Sequence, residues 1–281
     1  MDDPRGTDHS PVRIQVLSDT HLEIGRPALG GGYTHFQYDF PAKADILALL
    51  GDIGTTNDDR FFDWLRAQLK RFKLVFFLSG NHEAYRSSIK ESTSRLAAFA
   101  KESEAQFRNS LPGESYGRFV ILDRTRYDLS DTVTVLGCTL WSRLDPEHVS
   151  LINVGLNDFS MISDLTTDVY QSLHERDAVW LSRAVTEIAR DEPHRKIVVM
   201  SHHAPTVEDT SDPKFHGQPM NTAFATELSK EEWWPHVKVW MFGHTHWPCD
   251  FERCGVRVLS NPRGYRTTGV DGYDPEMVVE L

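Results

Sequence analysis

Five short segments of this sequence carry side chains that can bind metal ions or transfer protons, and each closely follows a short apolar run. The segments are 19–21 (DTH), 51–52 (GD), 80–83 (GNHE), 202–203 (HH) and 243–246 (GHTH). A single GD or NH pair is usually a turn, because Gly, Asn and Asp favour turn conformations. Five such segments after five apolar runs are hard to explain by turn chemistry. Imidazole, carboxylate and amide groups together suit Zn, Fe or Mn ions, so the sequence predicts a metal site.

The apolar runs have the composition of buried β-strands, since they are rich in β-branched and aromatic residues and end at glycine or polar turns. They cover residues 12–17, 46–50, 74–78, 119–122, 133–136, 197–200, 237–242 and 256–259. The apolar stripe of one predicted helix is formed by Phe61, Leu65, Leu69 and Phe72. Further helices are predicted over 88–107 and 169–189. Strands that alternate with helices indicate an α/β fold, in which ligands bind at the carboxyl ends of the strands.

Composition bounds the class of protein. The chain has 281 residues, of which 40% are hydrophobic and 25% charged, and this excludes a disordered or membrane-spanning chain. No repeat or linker is evident, which favours one domain over residues 1–281 with a flexible segment at 1–11. Three cysteines without a CxxC pair favour a reducing compartment. With no signal-like N-terminus and no long apolar run, we expect a cytoplasmic protein without a membrane partner. The oligomeric state is left open.

The charge balance restricts the partners of the protein. The sequence has 30 Lys and Arg against 41 Asp and Glu, a formal net charge of −11. A field of this sign repels polyanions, and no cluster of Lys and Arg offsets it, so binding of long nucleic acid is disfavoured. An anionic substrate must therefore be attracted by a local cation.

In their order along the chain, the five segments resemble the motifs of the calcineurin-like metallophosphoesterases: DxH, GD, GNH[DE], a His after a strand, and GHxH. The resemblance spans residues 19 to 246. It implies a four-layer αββα sandwich, in which two mixed β-sheets are flanked by helices and two transition-metal ions (Mn, Fe or Zn) bind at one edge. The predicted order of strands and helices agrees with this fold but could not have selected it.

The resemblance also implies a role for each motif residue. The first metal would be bound by Asp19, His21 and His246, the second by Asn81, His202 and His244, and Asp52 would bridge the two. His82 would donate a proton or hydrogen bond to the leaving group. His202 and His203 are adjacent, and successive strand residues face opposite sides, so only one is expected to reach the metal. The resemblance selects His202.

These expectations are compatible with phosphoester chemistry. One carboxylate can bridge two cations about 3.5–4 Å apart, and such a pair stabilises both sides of an in-line displacement at phosphorus. Two divalent ions against the carboxylates of Asp19 and Asp52 leave the site net positive, which favours an anionic substrate. Metals of this kind supply a bridging hydroxide as nucleophile at neutral pH.

The leading hypothesis is a phosphodiesterase acting on a small diester such as a cyclic nucleotide or another nucleotide derivative. The alternative is a phosphomonoesterase or pyrophosphatase with the same metals. A non-catalytic scaffold is disfavoured because every expected ligand is present. The stretch GDIGTTND lacks the second Asp and the Arg of the protein phosphatase motif GDxxDRG, which disfavours a protein phosphatase. Without this second Asp, the residue that orients His82 is not identified, and Asp58, Asp59 and Asp158 are the candidates.

Two segments without assigned structure, 143–165 and 206–223, are expected to be binding loops. Neither contains the pair of arginines that would hold a dianion in bidentate fashion, which favours diesters over monoesters. The segment 261–265 (NPRGY) resembles a stretch near the metal edge of small members of the family. The residues expected on the substrate side are His203, Phe159, Asn221, Arg263 and Tyr265.

Overall fold

The computed structural model describes residues 11–27, 33–111, 116–265 and 270–281. The segment 1–11 that was predicted to be flexible lies outside these residues except for its last position. The strands are β1 (Arg13–Leu17), β2 (Arg26–Pro27), β3 (Tyr33–Thr34), β4 (Ile46–Leu50), β5 (Leu74–Leu78), β6 (Ser87–Ser88), β7 (Arg118–Ile121), β8 (Thr125–Asp128), β9 (Val133–Cys138), β10 (Ile162–Ser163), β11 (Lys196–Ser201), β12 (Val237–Phe242), β13 (Cys249–Arg253), β14 (Val256–Ser260) and β15 (Val278–Glu280). The helices are α1 (Asp59–Leu69), α2 (Ile89–Asn109), α3 (Val149–Gly155), α4 (Asp158–Met161) and α5 (Thr167–Asp191).

Two mixed sheets contain most of these strands. The first has the order β15-β1-β4-β5-β7, and the second has the order β13-β14-β12-β11-β9-β8. In the first sheet β1, β4, β5 and β7 are parallel, with β15 antiparallel at one edge. In the second sheet β14, β12, β11 and β9 are parallel, with β13 and β8 antiparallel at the edges. The eight parallel strands are those that the apolar runs predict.

The two sheets pack face to face through alternate residues of these strands. Ile14 and Val16 of β1 lie in this interface with Phe76 of β5, opposite Val198 and Met200 of β11. The intervening residues of the first sheet, such as Leu47, Leu49, Val75 and Phe77, face outward into a second apolar cluster. Burial on both faces explains why the strands have no polar alternation.

Helices cover both outer faces and complete the αββα sandwich. Phe61 and Leu65 of α1 and Phe99 of α2 pack on the first sheet. Leu181 and Val185 of α5 pack on the second sheet. The helix starts are capped by the side chains of Asp58, Ser88 and Thr166, which accept hydrogen bonds from backbone N–H groups. The predicted fold class is therefore confirmed.

The two loops without predicted structure contain short elements. Segment 143–165 holds α3, α4 and β10, and segment 206–223 holds the 3₁₀ turns Pro213–Phe215 and Pro219–Ala223. The helix predicted from the apolar stripe of Phe61, Leu65, Leu69 and Phe72 is α1. Phe72 is buried but lies beyond the end of this helix. Among the helices of the described residues, none is long and apolar enough to cross a membrane.

Candidate functional site

The five motif loops meet where the carboxyl ends of the parallel strands of both sheets come together. Within the first sheet, the N–H groups of Asp19 and His21 donate to the carbonyls of Gly51 (3.0 Å) and Asp52 (2.9 Å). Between the sheets, the ring nitrogen Nδ1 of His202 lies 2.8 Å from the carbonyl oxygen of Leu50. These bonds hold loops from distant parts of the chain in one cluster.

Many of the clustered side chains are attached to backbone in the left-handed region. Asp19, His21, Asp52, His244 and His246 have φ between 43° and 70°. Non-glycine residues adopt this conformation rarely, and such strain accumulates at functional sites where the surrounding structure enforces it. The conformation turns each side chain away from its strand and into the shared site.

Glycine is required where the loops approach one another. A Cβ atom on Gly80 would lie 2.2 Å from Oδ1 of Asp52, and one on Gly51 would lie 2.4 Å from Nδ1 of His202. Gly51 also has a φ of +84°, which other residues rarely adopt. The glycines of the GD and GNHE motifs therefore make room for the two side chains that occupy the centre of the site.

One group of possible metal ligands contains Asp19, His21 and His246, whose ligand atoms all lie within 4.8 Å of one another. Nε2 of His246 is 3.4 Å from Oδ1 of Asp19 and 2.9 Å from Nε2 of His21. Asp19 and His21 are buried, and His246 is at the margin of the site.

A second group contains Asp52, His202 and His244, again within 4.8 Å. Nε2 of His202 lies 3.4 Å from Oδ1 of Asp52 and 3.2 Å from Oδ1 of Asn81, so the amide oxygen of Asn81 joins this group. Nε2 of His244 is buried without a hydrogen-bond partner. A buried imidazole nitrogen without a partner is costly, and a metal ion would satisfy it.

The carboxylate of Asp52 lies between the two groups. Its Oδ1 faces His202, while its Oδ2 is 3.8 Å from Nε2 of His21. Each oxygen is thus directed toward a different set of ligands. This is the arrangement that a bridging carboxylate needs.

The two carboxylates proposed as metal ligands, Asp19 and Asp52, have lowered pKa values, whereas burial raises the pKa of Glu83 to about 8. Burial opposes ionisation of Asp52, but His202 and His82 outweigh this and hold the pKa of Asp52 well below its usual range. Burial lowers the pKa of His202, but the charge of Asp52 raises it to about 9. Burial and the charge of His202 lower the pKa of His244 to about 3. Neutral imidazole and ionised carboxylate are the forms that bind metals, and Asp52 and His244 already have them.

His82 lies beside both groups of possible metal ligands, and its ring contacts Glu23, a residue that the sequence analysis did not select. Its Nδ1 is 2.8 Å from Oε1 of Glu23, and its Nε2 is 3.2 Å from the hydroxyl of Tyr265 and 3.9 Å from Oδ2 of Asp52. The ring also stacks on Tyr85, with 4.0 Å between centroids. Burial lowers the pKa of His82, but Asp52 and Glu23 raise it to about 9.

None of the three aspartates considered for this role contacts the His82 ring in the described residues. Asp58 caps helix α1, and Asp59 is exposed in its first turn. Asp158 accepts hydrogen bonds from Nδ2 of Asn81 (2.7 Å) and from the hydroxyl of Tyr85 (2.6 Å). Glu23 therefore orients His82, and Asp158 orients the amide of Asn81. The only signal for Glu23 was its position two residues after His21 in the DTHLE stretch.

Glu83 is a further acidic residue whose role sequence reasoning missed. Its buried carboxylate accepts hydrogen bonds from the backbone N–H groups of Asp52 (3.0 Å), Ile53 (2.8 Å) and Gly80 (2.7 Å). It thereby fixes the GD loop to the GNHE loop.

Only some of the residues expected on the substrate side line the cleft beside the site. A cleft of about 490 Å³ opens from the site, and Asn221 and Tyr265 line it together with Asp52, His82 and His246. His203 does not line the cleft, which corrects the expectation for this residue; its ring packs on His244, with 4.0 Å between centroids, and its Nδ1 is 2.8 Å from the hydroxyl of Ser142. The alternation of strand residues thus leaves His202 in the site.

Besides His203, two more of the expected substrate residues lie outside the cleft. Phe159 is outside the cleft and packs against Tyr170. The guanidinium of Arg263 stacks on Tyr38, 3.6 Å from the ring centroid, and does not line the cleft. Both placements correct the expectation, because each side chain packs against an aromatic ring outside the cleft, Phe159 on Tyr170 and Arg263 on Tyr38.

The chain is similar to known proteins in sequence and in fold. A family profile described as calcineurin-like phosphoesterase matches residues 12–248, a range that includes all five motifs. An uncharacterised protein of Acanthamoeba polyphaga mimivirus is 26% identical over 269 residues, covering 90% of this chain and 91% of that protein. Among solved structures, the phosphopantetheinyl hydrolase of Mycobacterium tuberculosis is similar, with a TM-score of 0.68 and 15% identity over 96% of each chain.

Proposed function

The chain belongs to the calcineurin-like phosphoesterase family of phosphoric ester hydrolases, and on this basis we propose that it is a dinuclear metal-dependent phosphodiesterase for small diesters. The observation that carries the proposal is the position of Asp52, which directs one carboxylate oxygen toward each of two separate ligand groups. A single-metal site would need only one such group.

The donor set fits two divalent transition-metal ions. Asp19, His21 and His246 would hold one ion, and Asn81, His202 and His244 the other, with Asp52 shared. The unpartnered Nε2 of His244 supports this assignment. When bound, such ions neutralise charge that develops at the phosphate and lower the pKa of water to near 7.

His82 would assist departure of the leaving oxygen. Because Nδ1 faces the Glu23 carboxylate, the N–H at this position donates to Glu23 and fixes the plane of the ring. Burial lowers the pKa of His82, but the charges of Asp52 and Glu23 outweigh this and raise it, which favours a second proton at Nε2, beside Asp52 and Tyr265. A proton at Nε2 is available to the leaving alkoxide, as general acid catalysis requires.

The charge of the cleft supports a diester over a monoester. Among the described residues that line it, there is no lysine or arginine. A monoester dianion normally receives additional cationic side chains, often bidentate arginines, whereas a diester carries a single negative charge. The cleft also leaves room beside Asp52 for the second substituent of a diester.

The test is a comparison of bis(p-nitrophenyl) phosphate with p-nitrophenyl phosphate under metal-saturated conditions. The two substrates share a leaving group, so kcat/KM reports the preference for diester or monoester. We expect the diester to be hydrolysed with the higher kcat/KM. A preference for the monoester would replace this proposal with a phosphomonoesterase, and no hydrolysis of either would favour a scaffold.

A further inference from the structure

One wall of the cleft is a continuous apolar surface that begins at the candidate metal ligands. The ring of Phe224 stacks on His244, with 4.7 Å between centroids and 21° between planes. Met220 and Leu156 line the same cleft, and Phe215 lines it with 43% of its surface exposed. Because these apolar side chains line one cleft together, they form a surface of the kind that binds apolar groups.

This wall is supported from behind and is therefore preformed. Met220 and Phe224 pack against a buried cluster that includes Ile152, Leu156 and Tyr170. Met220 also lies over Gly155 at the end of α3, where a Cβ atom would come within 3.2 Å of its side chain. A rigid apolar wall binds a ligand without first paying the entropy of ordering.

The remaining lining is polar but uncharged on the side away from the metal ligands. It includes Asn157, Ser211, Gln218 and Asn221. Asn221 is only 6% exposed, and its Nδ2 has no hydrogen-bond partner, while its Oδ1 accepts from the hydroxyl of Ser211 at 3.5 Å. A buried N–H group without a partner is costly, so a bound molecule that offers an acceptor there is favoured.

Additional anionic groups find no counter-charge in this part of the molecule. The described charged residues that line the cleft, apart from its histidines, are Asp52 and Asp158. The nearby ammonium of Lys214 lies 4.8 Å from the centroid of the Phe215 ring and forms an ion pair with Oδ2 of Asp212 at 2.6 Å. An anionic group on the bound molecule would therefore be repelled.

We infer that the second substituent of the diester is an uncharged, mainly apolar arm with a hydrogen-bond acceptor near Asn221. The inference rests on the proposed phosphodiesterase function and specifies its substrate class. The arm would run from the phosphate along Phe224 and Met220 to Phe215. The volume of the cleft, about 490 Å³, is within the range of small-molecule sites.

A series of alkyl p-nitrophenyl phosphates, from methyl to hexyl, tests this inference. All members have the same leaving group and the same single charge, so only the arm changes. We expect kcat/KM to rise by about twofold to fourfold per methylene while the chain follows the wall, mainly through a lower KM. An arm that ends in a carboxylate should fall below the alkyl arm of equal length by at least tenfold.

Variants with a matched control show which side chains cause the dependence of kcat/KM on the arm. Phe215→Ala should flatten the dependence on chain length. Phe107→Ala is the matched control, because Phe107 is a phenylalanine of similar exposure (39%) on helix α2 that does not line the cleft. It should leave the whole series unchanged. Asn221→Leu should weaken an arm with an internal amide carbonyl more than a plain alkyl arm.

The outcomes separate this inference from the proposed function. If methyl p-nitrophenyl phosphate is hydrolysed but longer arms give no gain, or the carboxylate arm reacts equally well, the inference is wrong and the function stands. If no diester is hydrolysed, the proposed function fails. Calorimetric binding of hexyl against methyl p-nitrophenyl phosphate then decides the inference, and equal affinities would overturn it.

Discussion

Asp52 is the residue on which the candidate metal site depends most, because its two oxygens face different groups of ligands. Asp52→Asn would replace one of these oxygens by an NH₂ group that cannot bind a metal. His246→Ala would remove a ligand from the first group only. We expect two ions per chain in the wild type and a clear loss in both variants, measured by elemental analysis after dialysis.

Asp58→Asn provides the control for these measurements. Asp58 caps helix α1 and belongs to neither ligand group, so the metal content of the Asp58→Asn variant should equal that of the wild type. Full occupancy in both Asp52→Asn and His246→Ala would contradict the assignment of the ligands.

His82 has a different expected effect, because it contacts Glu23 and Tyr265 without completing either group of four ligands proposed above. His82→Ala should retain its metals. It should lose about 10² to 10⁴ in kcat on diesters with alkyl leaving groups, where protonation assists departure. The loss should be much smaller with p-nitrophenolate, which departs without a proton. Equal losses on both kinds of substrate would argue against the acid role.

At this scale the sequence predicted which side chains lie close together, but it did not predict their hydrogen-bond partners. The proposed ligands stand directly after apolar strands, so position in the chain and chemistry point to the same residues. Glu23 and Asp158 act through hydrogen bonds to His82 and Asn81, and such partners are defined only once loops meet in space. Arg263 was misplaced for the same reason, since its partner Tyr38 is more than two hundred positions away in the sequence.

At the scale of elements, the GD loop after β4 and the GNHE loop after β5 are joined by the buried carboxylate of Glu83. Oε2 accepts from the N–H groups of Asp52 and Gly80. In Glu83→Gln, the side chain has one acceptor oxygen, so its NH₂ group would face either the N–H groups of Asp52 and Gly80 or that of Ile53. Each buried unpaired donor costs about 1–3 kcal/mol, so we expect the free energy of unfolding to fall by about 1–6 kcal/mol.

Urea denaturation in the presence of a chelator measures this loss without a contribution from metal binding. Glu102→Gln is the control, since Glu102 forms an exposed salt bridge with Arg66, and such pairs contribute about 0–1 kcal/mol. If the two variants lose the same stability, Glu83 does not hold the loops together as described.

The strands that are most buried were the ones that the sequence predicted. The parallel strands read as continuous apolar runs because both faces are covered. The antiparallel edge strands β8 (TRYD) and β13 (CDFER) are half-exposed and carry charged residues, so they have no such signal. The short helices α3 and α4 were missed because seven and four residues are too few to show a helical period.

At the scale of the whole molecule, the site connects the two sheets. Its proposed ligands follow β1, β4 and β5 in the first sheet and β11 and β12 in the second, and apolar side chains of both sheets pack in the interface behind them. Metal ions bound here would join the two halves of the sandwich. They would also offset a net charge of −11, which otherwise disfavours both compact folding and anion binding.

Metal binding should therefore stabilise the folded protein measurably. An ion that binds only the native state at 100 times its dissociation constant adds about 2.7 kcal/mol, and at roughly 2 °C per kcal/mol for a chain of this size each site should raise Tm by about 5 °C. Thermal unfolding with excess Mn²⁺ against chelator measures the shift. His82→Ala should show the full increase and Asp52→Asn a much smaller one, because only Asp52 is shared by the two groups. The described residues contain a third group of possible ligands, which consists of His21, Glu23 and His82. If His82→Ala loses more of the increase than Asp52→Asn, the stabilising ion binds this third group and the ligand assignment proposed here is wrong.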